Sequence, residues 1–260
     1  MDKKALLEWH IEAGADEAVG DEPVNHFASG KRPVASDQNE KPLATDGRPL
    51  TTPLHHSPSA ATSVSRQLAD NANTLAELEA AVRAFDGCAI KKTASKTVFC
   101  DGNPKAKVMV IGEAPGAQED IQGIPFCGPS GQLLDKMFVA IGLTRADNLY
   151  ISNTVFWRPP GNRQPSPEET VICLPFVEKH IALVNPDLLV LSGGTATTTL
   201  LNKDISISRL RGKLYDYSNP YLKKPIPTIV TYHPSYLMRS PGQKRLAWND
   251  MLMIQDFLAR

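Results

Sequence analysis

Four short runs along the chain are almost continuously apolar: 107–112 (KVMVIG), 149–155 (LYISNTV), 187–192 (DLLVLS) and 227–232 (PTIVTY). Runs of this length without polar alternation predict strands buried on both faces, as in a parallel sheet whose crossover helices cover both sides. Between them, apolar residues recur at helical spacing over 131–142, 167–184 and 195–202. The second of these has Ser166 as N-cap, Pro167 in the first turn and Glu169 closing a capping box. Strand and helix in alternation predict an α/β fold, a three-layer αβα sandwich around a central four-stranded parallel sheet.

Upstream, Thr74-Leu75-Ala76-Glu77 matches a capping box, with Leu78, Val82 and Phe85 on one face and Gly87 as the expected stop. Residues 5–14 (ALLEWHIEAG) predict a short helix carrying Leu6, Leu7, Trp9 and Ile11. Residues 20–65 hold six prolines among Ser, Asp, Asn and Gly. Such a stretch buries too little apolar surface to offset its ordering entropy, which predicts a disordered linker. The organisation read from the chain is therefore a mostly disordered acidic, proline-rich extension over 1–65, a helical lead-in over 66–87 and one domain over 88–260.

Charge sharpens this division. The net charge of zero splits into −6 over 1–87 and +6 over 88–260. Within 209–245 eight basic residues face Asp216 alone. A concentrated positive region suits a polyanion, because phosphate contacts release counterions; a solvated basic face is the plainer alternative. No run approaches a membrane span, no apolar leader follows Met1, and four scattered cysteines make no disulfide framework. A cytoplasmic protein with no membrane partner is expected.

Sites in open parallel sheets form beyond the carboxyl ends of the strands. After the first strand comes Gly112-Glu113-Ala114-Pro115-Gly116. The second ends at Asn153 ahead of Arg158-Pro159-Pro160-Gly161-Asn162-Arg163. The third leads into Gly193-Gly194, and the fourth into His233-Pro234-Ser235. Singly, each polar residue has a structural explanation. A carboxylate, a carboxamide and an imidazole at three strand ends of one sheet point together to one catalytic pocket.

The text GEAPGAQEDIQGIPFCGPSGQLLD (112–135), NTVFWRPPGNRQPSPEE (153–169) and HPSYLMRSP (233–241) resembles the family 4 uracil-DNA glycosylases, and the resemblance spans about residues 85–260. It implies a DNA-repair enzyme that hydrolyses the N-glycosidic bond of uracil in DNA. It assigns Glu113 and His233 to catalysis, and Phe126, Asn153, Glu119 and Ala114 to uracil binding. Along the DNA path it implies Arg163, Ser235, Leu237, Arg239, Lys244 and Arg245, with Leu237 and Met238 read as an apolar wedge in the inserting loop, or else as packing beneath it. Uracil-containing DNA is the expected partner and the chain a monomer, with the 5–14 helix available to an unidentified protein.

The resemblance also implies an iron–sulfur cluster on four cysteines, and here the sequence departs. Phe85 stands where the leading cysteine of a Cys-x-x-Cys pair ending at Cys88 belongs, and Trp157 stands at the third position. Only Cys88 and Cys173 remain in register; Cys100 and Cys127 fall elsewhere. A cubane needs four thiolates, so no cofactor and no metal are expected. A related branch traps DNA through a histidine in an inserted loop; the segment Gly161-Asn162-Arg163-Gln164-Pro165 has none, so ordinary turnover is expected. Two other classes stay open: a non-catalytic DNA-binding protein on the same fold, which has no need of all four pocket residues, and a nucleotide enzyme using Gly193-Gly194, which lacks a P-loop lysine.

Overall fold

The computed structural model describes residues 60–203 and 205–259. The helix expected over 5–14, and the expected linker up to residue 59, lie outside them. In chain order the elements are α1 (Ala60–Asn71), α2 (Leu75–Ala84), β1 (Asp101–Gly102), β2 (Val108–Gly112), α3 (Ala117–Gln122), α4 (Pro129–Val139), β3 (Leu149–Asn153) and α5 (Pro167–Val184). They continue with β4 (Leu188–Ser192), α6 (Gly194–Leu201), α7 (Ile207–Leu210), β5 (Leu214–Tyr217), β6 (Ile226–Thr231), α8 (Pro234–Arg239) and α9 (Lys244–Leu258).

The sheet runs β1-β3-β2-β4-β6-β5. Its four central strands are the four expected ones, all parallel, with Val110 opposite both Ile151 and Val190, and Val190 opposite Ile229. Side chains alternate between the faces. Met109, Ile111, Tyr150, Leu189 and Leu191 join α1, α2, α5 and α6 in one core. Val108, Val110, Ile151, Leu188, Val190 and Ile229 meet Leu134 and Phe138 of α4 and Met251 and Ile254 of α9 in the other. Burial on both faces explains the continuous apolar runs.

Several details differ from the sequence reading. Antiparallel edge strands β1 and β5 extend the sheet. Neither carries an apolar run: β1 has two residues, and β5 lies in the basic stretch with Leu214 exposed. Helix α1 starts at Ala60, inside the stretch read as linker, because Ala69 and the partly buried Ala61 and Leu68 belong to the core on the α5 side. Helix α2 stops at Ala84, with Phe85 in extended backbone as its cap, so Gly87 lies beyond the stop. Thr74 caps it as expected, but Glu77 reaches back to the Asn73 N–H at 2.7 Å. The Ser166–Glu169 capping box closes in both directions. No helix among the described residues is long and apolar enough to cross a membrane.

His180 on α5 is fully buried, stacked on Phe99 at 4.3 Å, with Nε2 2.8 Å from the Tyr150 hydroxyl. Burial pushes its pKa down to about 3, from 6.5 in the open chain. Between these values the unfolded chain binds a proton that the fold refuses, so stability falls as pH drops through 6.5 toward 3. At about pH 4.5 the loss from this residue is roughly 2–3 kcal/mol, at ~1.4 kcal/mol per pH unit. Urea midpoints at neutral and acid pH measure it, and His180→Gln should remove most of this pH-dependent part. An equal acid loss in the variant would assign it to other groups.

Candidate active site

The central strands end in register, Gly112 beside Asn153 and Ser192 beside Thr231. Beyond these ends lies a cleft of about 430 Å³. Glu113, Ala114, Glu119 and Phe126 line it from the segment after β2, and Arg163, His233, Ser235 and Arg239 from the later segments.

Glu113 follows β2 directly. Its backbone carbonyl accepts from the Thr154 hydroxyl at 2.6 Å and the Val155 N–H at 3.3 Å, which ties the turn after β2 to the turn after β3. Its carboxylate accepts from the Thr195 hydroxyl at 2.5 Å.

Asn153 closes β3 and is 1% exposed, yet neither Oδ1 nor Nδ2 has a hydrogen-bond partner. Buried amides are rarely left so, and a ligand carrying both an acceptor and a donor answers the deficit. Next to it, Gly112 explains its own identity. A Cβ there would stand 2.5 Å from Asn153 Oδ1 and 2.4 Å from Phe126 Cζ, so any side chain would occupy the space between ring and amide.

Phe126 is 5% exposed and takes a left-handed backbone, φ 52°, that a bulky residue adopts only under constraint. Arg145 supplies part of that constraint. Its guanidinium donates to the carbonyls of Pro125 at 2.8 Å and Phe126 at 2.6 Å, while ion-pairing Asp101 and Asp135. Nothing local in the sequence marked Arg145, because its partners come from separate segments.

His233 caps α8 and faces Phe126 at 5.5 Å between ring centroids. Nδ1 accepts from the Ser235 N–H at 3.2 Å and lies 2.7 Å from the Ser235 hydroxyl. A nitrogen that accepts a backbone N–H cannot carry a proton in the neutral ring, so the proton sits on Nε2. Burial, with Arg239 nearby, pushes the imidazole pKa down to about 4. At neutral pH this is an uncharged donor. On its other side a Cβ at Gly193, φ 103°, would come within 3.0 Å of the His233 Cβ, and only glycine takes that turn without strain.

Other expected residues are placed differently. Both carboxylate oxygens of Glu119 hold backbone N–H groups, Gly116 at 3.1 Å and Gly128 at 2.8 Å, so it braces the pocket wall. Arg163 lines the cleft but is paired to Glu169 at 2.6 Å. Leu237 is 1% exposed and packs with Tyr232 and Ala247; the wedge reading fails for it in this conformation, and Met238, 47% exposed, is the apolar residue presented outward. Lys244 and Arg245 are exposed at the start of α9 along a separate apolar groove by Leu133 and Trp248. Arg211, one of the basic residues of 209–245, is taken up by fully buried Asp250.

The cysteines do not form a four-thiolate set. Cys88 and Cys173 are buried and interact thiol to thiol; the contact and burial together hold Cys173 well above the ordinary thiol range. Around them Phe85 packs edge-on to Phe176 at 5.3 Å, Phe176 to Phe156 at 6.5 Å, and Phe156 to Trp157 at 6.0 Å. Phe85 and Trp157 are thus linked through two phenylalanines. Two thiols among apolar rings do not fit a cubane, and among the described residues no three Cys, His, Asp or Glu side chains gather as a metal site.

The uracil DNA glycosylase superfamily model matches residues 99–252. A type-4 uracil-DNA glycosylase of Thermotoga maritima is 35% identical over 182 residues, 69% of this chain and 92% of that protein. Its counterpart from Archaeoglobus fulgidus is 37% identical over 177 residues, 66% of this chain and 87% of that protein. That of Saccharolobus solfataricus is 35% identical over 195 residues, 73% and 88% respectively.

Proposed function

Because the chain belongs to the uracil-DNA glycosylase superfamily, and within it to the type-4 branch, we propose that it excises uracil from DNA by hydrolysing the N-glycosidic bond. The observation that carries this reading is the buried, unpartnered Asn153 amide beside Phe126, with Phe126, Glu113 and the neutral His233 lining one cleft.

The base must leave the duplex to enter such a cleft, at a cost of a few kcal/mol that stacking on Phe126 partly recovers. Asn153 Nδ2 can donate to a uracil carbonyl while Oδ1 accepts from the ring N3–H. As the bond breaks, uracil gains negative charge and the deoxyribose becomes an oxocarbenium-like cation. His233 Nε2–H donates to the uracil oxygen that collects the charge. With its pKa near 4 it does so as a neutral donor and does not protonate the base outright. Glu113 supplies negative charge to the sugar and a base for the attacking water. Arg239, exposed at the cleft, is placed for phosphate, and of Leu237 and Met238, both read as the wedge, only Met238 is presented outward to act as one. The reaction is assigned without a cluster, since the residues around Cys88 and Cys173 do not fit one. The glycosylase unit is taken to include α1 and α2, which pack on α5.

Incubation with a labelled uracil-containing duplex, followed by alkaline cleavage, tests the reading: strand scission at uracil is expected, and an intact strand would overturn it. His233→Ala should slow the single-turnover rate by on the order of 3 kcal/mol, the usual cost of one such donor. If the variant only weakens DNA binding, with the chemical step intact, His233 is not the leaving-group donor.

A further inference from the structure

We propose that Thr195 is a positioning residue for Glu113, fixing the carboxylate where it acts on sugar and water. This rests on the reading of Glu113 given above. The Thr195 hydroxyl donates to Glu113 Oε2 across 82 residues of sequence, joining the first turn of α6 to the turn after β2. No other side-chain donor to that carboxylate is found among the described residues. Helix α6 has no need of this hydroxyl as a cap: its N-cap is Gly193, and a threonine inside the first turn ordinarily faces water or its own helix.

The turn that carries Thr195 is itself held. Gly193 N–H donates to Thr231 O at 2.9 Å, and the Thr197 hydroxyl donates to Gly193 O at 2.8 Å. Gly193 abuts His233. One tight turn therefore sets the spacing between the two groups that meet opposite charges in the reaction, His233 by contact and Glu113 by hydrogen bond. A glutamate has three side-chain torsions, and without this donor its carboxylate can swing into the cleft or out to solvent. Misplacing a catalytic group by about 1 Å can cost on the order of a hundredfold in rate.

The test uses the full chain and single-turnover excision on a uracil duplex, with duplex affinity and urea midpoint measured beside it. Thr195→Val keeps the shape and removes the donor; Thr195→Ser keeps the donor. Thr195→Val should be slower by roughly ten- to a hundredfold with unchanged affinity, and Thr195→Ser should be near wild type. In a Glu113→Gln background Thr195→Val should add little. Should Thr195→Val fail to fold, Thr195→Ala against Thr195→Ser gives the same comparison. An unchanged rate in the variant lacking the donor, a loss appearing only in affinity, or an equal loss in the Glu113→Gln background would overturn the proposal while leaving the glycosylase reading intact. A wild-type chain that excises no uracil would overturn both.

Discussion

Replacing Glu113 by Gln is expected to slow uracil excision by roughly two to four orders of magnitude while leaving duplex affinity unchanged. The substitution is nearly isosteric. The backbone clamps from Thr154 and Val155 to the residue 113 carbonyl do not depend on the side chain. The Thr195 hydroxyl can still donate to the amide oxygen, so the turn and the pocket wall should hold. What disappears is the negative charge facing the sugar and the capacity to accept a proton from water. Both act on the bond-breaking step and neither on the ground-state complex, so the loss should fall on the chemical rate. Single-turnover excision together with fluorescence anisotropy on a labelled duplex separates the two. A near-normal excision rate would remove Glu113 from the chemistry.

The proposed site residues could be named from the sequence because topology brings them to one edge. Four buried strands imply one functional edge, and Glu113, Asn153 and His233 follow the ends of three of them. The edge strands could not be read in this way, because β1 and β5 form by pairing to a neighbour's backbone and carry no apolar pattern of their own. Leu237 shows a second limit. An apolar residue after His233 suits a DNA wedge and a core contact equally in sequence, and only the phase of α8 turns Leu237 inward and Met238 outward. Arg145 and Thr195 mark a third. Each acts on a site residue far from it in the chain, through hydrogen bonds that no local pattern encodes. Phe85 and Trp157 are both buried, but the route between them through Phe176 and Phe156 could be seen only in the packing itself.

That packing makes Trp157 the residue whose truncation should cost the most stability. An apolar aromatic chain ties the segment before β1 to α5. Trp157 is 1% exposed, meets Phe156 edge-on, lies under the Lys91 ammonium at 5.8 Å and donates its indole N–H to Thr97 Oγ1 at 3.0 Å. Trp157→Ala deletes the largest fully buried side chain in a region already closed by other rings, which leaves little room for collapse, and should cost roughly 3–5 kcal/mol in urea unfolding at neutral pH. Trp157→Phe keeps most of the ring volume and loses the hydrogen bond to Thr97, so it should cost only about 1–2 kcal/mol. The difference between the two isolates packing from hydrogen bonding. Metal analysis of the wild type completes the test, since a chain held by these rings should be folded, active and colourless without iron. Stoichiometric iron in the purified protein would show that Cys88 and Cys173 recruit a site after all. A Trp157→Ala cost below about 1 kcal/mol, the level of a surface change, would show that the aromatic chain is not what holds these segments together.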